Sequence, residues 1–262
     1  MKFLFSFVSF ILICNCADSS QAESPPSKPI SIATIDGRDW LVDSHGNPFF
    51  AHGITHASNN RNAFDFTEFS TACKRLGFNT YGYGCPPQLR GDMPYVESWN
   101  HLVPISTYRD AGSFHFIDIF DPKEQKRLEV EVKASCEKSL QNPENVIGYC
   151  WTDLGAWPLD NSTGNNWVDF MKSLPANAPG KQAYQEFIKA WKNDGTTSQD
   201  EAFLRFIARE YFRIVGTANK KYDPDHLIFG DRFSFQTFSP AIVEEMLPYV
   251  DAIAIQPYFM ES

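Results

Sequence analysis

The 262-residue sequence predicts an α/β fold of the (β/α)8-barrel type, with about six of the eight β/α units present. Three observations carry this expectation. After residue 49, short apolar runs alternate with amphipathic helical stretches, and right-handed crossovers then impose a parallel sheet. The run Val146-Ile147-Gly148-Tyr149-Cys150-Trp151-Thr152-Asp153 reads as a strand packed on both faces and ending in an acid. Polar and aromatic residues gather at the carboxyl ends of the strands, the end where such barrels keep their chemistry.

The elements follow in order. Residues 1–22 read as an export signal: Lys2 supplies a positive start, and Phe3 to Ile13 is an apolar stretch too short to span a bilayer. Two processing readings stay open. Ser20-Gln21-Ala22 suits ordinary signal peptidase, and Leu12-Ile13-Cys14-Asn15-Cys16 resembles a lipobox that would tether the chain to a membrane through Cys16. The expected location is therefore exported: periplasmic, extracellular or anchored at the outer membrane. Residues 23–37, with Pro25, Pro26 and Pro29, read as an extended linker, and residues 38–262 as the barrel.

Trp40 to Phe50 reads as a hairpin turning at His45 to Pro48, its second arm running into a first core strand over Phe49 to Ile54. Phe64 to Leu76 is helical and stops at Gly77. Phe78 to Tyr83 is a second strand and His101 to Ile105 a third. Asp121-Pro122 caps a long helix whose buried stripe is Leu128, Val132, Cys136 and Leu140. The Val146 to Thr152 strand follows, then a long loop with some helical character from Trp157 to Pro179. Helices are expected over Lys181 to Trp191, Asp200 to Lys221 and Pro240 to Leu247. The remaining strands are His226 to Gly230 and Val250 to Ile255.

Composition narrows the function. A hydrophobic fraction of 43% supports one sizeable core, and a net charge of −9 offers no basic surface for nucleic acid. Cys73, Cys85, Cys136 and Cys150 are too scattered for a zinc site and read as buried thiols, with one disulfide left open. No cofactor is expected.

The residues at the strand ends are His52 and His56, Tyr83, Trp151 and Asp153, Asp231 and Arg232, and Gln256 and Tyr258. Indoles beside an acid point to a sugar ring, whose C–H face stacks on aromatic planes. Trp151 and Trp157 flank Asp153 and read as platforms for such a ring. The histidines read as hydrogen-bonding groups, since no H-E-x-x-H pattern accompanies them. Asp231-Arg232 reads equally as an internal ion pair or as a hydroxyl-binding pair, and Tyr258 as wall packing or as ligand contact.

The ordered segments WLVDSHGNPFFAHGITHAS, RLGFNTYG, NPENVIGYCWTDLGAW, DPDHLIFGDRF and VDAIAIQPY resemble bacterial β-agarase-like glycoside hydrolases of the retaining barrel clan, over roughly residues 38 to 258. The resemblance implies a polysaccharide substrate, agarose or a related galactan. In that clan the acid/base is a Glu following an Asn at the end of strand four. Thr152-Asp153 stands at that position, one methylene short, so the resemblance makes Asp153 the candidate proton donor. It implies that His52, His56, Tyr83, Trp157, Asp231, Arg232, Gln256 and Tyr258 bind sugar, and that the nucleophile belongs to a seventh strand expected beyond Ser262. The Thr-Asp departure also keeps a second reading open, a non-catalytic glycan-binding barrel of the cell surface.

Overall fold

The computed structural model describes residues 29–55, 57, 65–99, 102, 116–159, 166–192, 195–234 and 238–256. The export signal, His56, Tyr258 and all but Leu102 of the expected third strand lie outside these residues.

The described chain opens with an antiparallel hairpin, β1 (Ser31–Ile35) and β2 (Arg38–Val42), paired from Ser31–Val42 to Ile35–Arg38. Its two-residue turn, Asp36-Gly37, has both residues left-handed (φ 52° and 74°), the twist that suits a tight hairpin. The hairpin therefore begins inside the stretch read as linker. The expected turn at His45 to Pro48 also forms, closed by a Val42–Pro48 bridge and by Asp43 Oδ1 accepting from the His45 and Asn47 amides.

The core is a six-stranded, all-parallel sheet in sequential order: β3 (Gly53–Ile54), β4 (Thr80–Tyr81), β5 (Tyr95–Ser98), β6 (Val146–Asp153), β7 (Leu227–Ser234) and β8 (Ala254–Gln256). It curls into half of an α/β barrel, as expected. The helices are α1 (Phe66–Arg75), α2 (Pro122–Ser139), α3 (Trp167–Ser173), α4 (Pro179–Ala190), α5 (Gln199–Tyr222) and α6 (Pro240–Met246).

Acids cap the starts of α1 and α2, as expected at Asp121, and α1 begins after Asp65, later than the expected start at Phe64. Asp65 accepts from the Thr67 and Glu68 amides, and Asp121 accepts from Lys123 with Pro122 in the first turn. Leu128, Val132 and Cys136 of α2 and Phe203, Ile207, Tyr211 and Val215 of α5 are buried against the sheet. α5 comes close because Gly216 carries no side chain: a Cβ there would lie 3.2 Å from Trp151 and 2.6 Å from Tyr249.

Two elements differ from expectation. The third strand of the sheet is Tyr95–Ser98, a segment hidden by its acid, Glu97. That acid faces the helices in a buried pair with Arg90 (2.7 Å) and accepts from Ser139 Oγ (2.9 Å). The helical character expected between Trp157 and Pro179 is α3. β7 runs on through Ser234, so Asp231 and Arg232 lie within the strand and not after it. Cys73, Cys85, Cys136 and Cys150 are all free thiols, which excludes a disulfide among them.

Behind β6, Tyr149 donates its hydroxyl proton to Asp223, which also pairs with His226 Nδ1 at 2.8 Å. The other ring nitrogen of His226 meets the Pro143 carbonyl oxygen at 2.8 Å, so this network ties α5, β6 and the start of β7 together.

Candidate active site

At the carboxyl end of the sheet the structure brings together Tyr83, Asp153 and Arg232. Asp153 ends β6 and Arg232 is its register partner on β7. Arg232 Nε and Nη2 both donate to Asp153 Oδ1, at 2.8 and 2.5 Å. The guanidinium also lies over the Tyr83 ring, 4.1 Å from its centroid. Tyr83 follows β4, and the turn carrying it is held by Ser98 of β5, whose hydroxyl accepts from the Gly84 amide at 3.2 Å. Ser98 was not singled out by sequence because its strand was not.

The side chains of Asp153 and Arg232 are 7% and 13% exposed, so the pair is largely removed from water. Arg232 and Tyr83 line a concavity of about 510 Å³ inside the curl, together with Val96, Ile147, Cys150 and Phe229. Burial pushes the Cys150 thiol up to about 12, so it behaves as an apolar wall group.

The other predicted residues separate from this cluster. His52 precedes β3 and sits at the amino end of the sheet, where its ring contacts Phe78 (4.7 Å) and its amide donates to Asn79 Oδ1. The first core strand is shorter than expected, and this reverses the placement of His52. Trp151 is 0% exposed, faces α5, and donates its indole N–H to Asn219 Oδ1 at 3.0 Å. Trp157, 7% exposed, stacks on Trp167 at 5.4 Å and touches Tyr211 and Phe212. Both indoles are core packing and not open platforms.

Asp231 is not the partner of Arg232; it is fully buried on the helical side of β7. Burial pushes its carboxyl up to about 7, offset in part by the Thr152 hydroxyl and the Trp157 indole. Gln256 ends β8, in register with Ser234, and its buried Oε1 has no hydrogen-bond partner among the described residues. Among the described residues no group of three His, Cys, Asp or Glu side chains could hold a metal ion.

Chemically, the cluster stacks a planar cation on a buried aromatic ring and pairs it with a carboxylate, and the cation lines the cleft. Those groups suit recognition of a polyhydroxylated ligand, since guanidinium and carboxylate satisfy hydroxyls of opposite hydrogen-bonding sense.

No family model matches the chain. In sequence it is similar to β-agarase A of Vibrio sp. (strain JT0107), 23% identical over 301 aligned residues that cover 92% of this chain and 30% of that protein. In fold it is similar to a crystal structure of an agarase, with a TM-score of 0.66, 18% identity, and coverage of 90% of this chain and 46% of that one. An exo-beta-agarase structure gives a TM-score of 0.65 at 15% identity, covering 88% of this chain and 50% of the other. The chain thus spans 30% of the curated relative's length and about half of these solved structures.

Proposed function

We propose that the protein is an exported glycoside hydrolase acting on an agarose-like polysaccharide, with Asp153 moving the proton and Tyr83 and Arg232 binding the sugar. The observation that carries this reading is the Tyr83–Arg232–Asp153 cluster at the carboxyl ends of parallel strands, in a chain similar to agarases. Export rests on the residue 1–22 signal, with a lipid anchor at Cys16 as one form of it.

In retaining hydrolysis one carboxylic acid protonates the leaving oxygen while a second carboxylate, ~5–5.5 Å away, attacks the anomeric carbon. Asp153 is the carboxyl group bonded to Arg232, which lines the cleft. Asp231, on the adjoining strand, faces the helices and so does not serve as the second.

A second reading, glycan binding without turnover, is favoured by the ion pair itself. Two N–H groups of Arg232 converge on Asp153, an arrangement made by the carboxylate, whereas proton donation needs the acid. The test uses a protein that carries the seventh strand expected beyond Ser262, and its Asp153→Asn variant, with reducing-end release from agarose read beside retardation in agarose affinity gels. Turnover that D153N abolishes while retardation persists supports the hydrolase reading. Retardation without turnover in the parent chain selects the binding reading, and neither signal in a folded chain overturns both.

A further inference from the structure

Directly behind the Asp153–Arg232 pair, polar side chains from three elements meet in the buried layer between the sheet and α5. Asp231 of β7 is fully buried, and among the described residues neither of its carboxyl oxygens has a hydrogen-bond partner. The buried Trp157 Nε1 is likewise unpartnered. Thr152 Oγ1 of β6 lies 3.3 Å from the Tyr211 hydroxyl of α5. The turn that leaves β6 presses onto the carboxyl, because a Cβ on Gly155 would lie 2.9 Å from Asp231 Oδ2. Just ahead of it, Leu154 is held at φ 53°, a left-handed conformation that a branched side chain adopts only when its surroundings impose it.

That turn begins at the residue after Asp153, so whatever fixes it also fixes the Asp153 backbone. Two hydrogen-bond donors, the Thr152 hydroxyl and the Trp157 indole N–H, lie near the carboxyl without bonding it in ordinary geometry. A neutral acid tolerates that arrangement. A carboxylate does not, because an unpaired buried anion is far costlier than an unpaired buried acid.

We propose that Asp231 is a positioning residue that acts as a proton-controlled latch on the Leu154–Trp157 turn. Protonated, it packs under the turn as found. When its O–H proton passes to solvent, the carboxylate draws in the Thr152 hydroxyl and the Trp157 indole, and the turn and Asp153 shift with them. The other titratable group facing it is Tyr211 of α5, which burial and then the Asp231 charge hold well above its ordinary value; Cys150 of β6, on the concave side, is raised chiefly by burial, so both stay neutral while Asp231 changes state. The nearest cation in sequence, Arg232, is committed to Asp153 and Tyr83. Burial sets the change close to neutral pH.

The consequence for sugar binding rests on the function proposed above; the latch itself does not. The test is a titration of intrinsic tryptophan fluorescence from pH 5 to 9 on the 262-residue chain, alongside Asp231→Asn and Thr152→Val. The parent should show a reversible transition near pH 7 that is lost in D231N. In T152V, which removes a donor favouring the anion, the midpoint should shift upward. A flat parent titration, a transition that survives in D231N, or an unmoved midpoint in T152V overturns the latch. Agaro-oligosaccharide affinity, measured on the same samples, should change across the parent's transition and stay constant in D231N. A latch transition without sugar binding at any pH leaves the latch standing and removes the functional reading.

Discussion

The Arg232 guanidinium, on β7, lies 4.1 Å from the centroid of the Tyr83 ring, which follows β4, although β5 and β6 separate those strands in the sheet. Only the curl of the sheet allows this contact, so one cation–π pair reports the barrel curvature and builds the cleft rim together. The same guanidinium neutralises Asp153 on its own neighbour strand. Arg232 is therefore the residue on which the cluster depends.

Removing that side chain takes the guanidinium away from the buried Asp153 carboxylate. Arg232→Ala is expected to cost about 3–5 kcal/mol, the range for breaking a buried ion pair. Arg232→Lys keeps the charge but loses the fork and the flat stacking surface, and should fall between. Urea denaturation of both variants checks this, and an R232A chain as stable as the parent would contradict it. Combining R232A with D153A should recover part of the loss, since the buried charge goes with it.

The sequence made Trp157 a platform whose loss the fold would survive; its packing says otherwise. With Trp167, Tyr211 and Phe212 within 5.7 Å of its ring, Trp157→Ala should destabilise the chain by about 3–5 kcal/mol. Trp151→Ala should cost at least as much, because it also strands the Asn219 side chain. Thermal unfolding is the check. A W157A chain with unchanged Tm and weakened sugar binding would restore the platform role.

His226 and Asp223 give a pH signature apart from the cleft. Burial lowers the His226 ring's proton affinity, but the bond to Asp223 and its charge outweigh burial and hold the ring above its ordinary value. Burial likewise opposes the Asp223 carboxylate, and His226 and Tyr149 outweigh it, holding the acid below its usual range. A raised histidine contributes stability that is complete below ~6.5 and is lost as pH climbs through the folded-state value. The lowered acid contributes stability present above ~3.9 and lost as pH falls through its own folded-state value. The Tm difference between the parent and His226→Gln should therefore shrink as pH rises above ~6.5. A difference that grows over that range would refute the pairing.

The sequence revealed those features whose causes are local. The cap at Asp121, the buried positions Leu128, Val132 and Cys136 of α2, and the strand over Val146 to Asp153 all follow from neighbouring residues, whereas Leu140 of the expected stripe ends the helix exposed. What it concealed depends on distant partners. β5 reads as polar until Arg90 and Ser139 arrive to neutralise Glu97. The side of the sheet that each strand-end residue faces was hidden too, because it depends on irregularities in register. Ile147 and Cys150 both line the concavity although they are three residues apart, and the β6–β7 register shifts between Tyr149 and Cys150. This explains why Trp151 and Asp231 were assigned to the cleft and are found behind it.

The irregularity in β7 centres on Gly230 and yields the most specific prediction. Phe229 and Arg232 both line the concavity, so the alternation of a regular strand, which would put Asp231 on the side of Phe229, is broken between them. Gly230 sits at that break with φ 67°, opposite Cys150 in the register. A Cβ there would be left-handed, costing ~1–2 kcal/mol, and would lie 2.5 Å from Met246 Sδ and 2.8 Å from Val250. Overpacking of that kind costs a further ~1–3 kcal/mol. Gly230→Ala is thus expected to destabilise the chain by roughly 2–5 kcal/mol, summing these two costs. Because the break aims Arg232 inward and Asp231 outward, relief of the strain should also turn Arg232 away from Tyr83. Near-ultraviolet circular dichroism, which reports the asymmetry around the aromatic rings, should change with the loss of stability. A G230A chain within ~0.5 kcal/mol of the parent, with an unchanged aromatic signal, would mean that the glycine does not set the facing of β7.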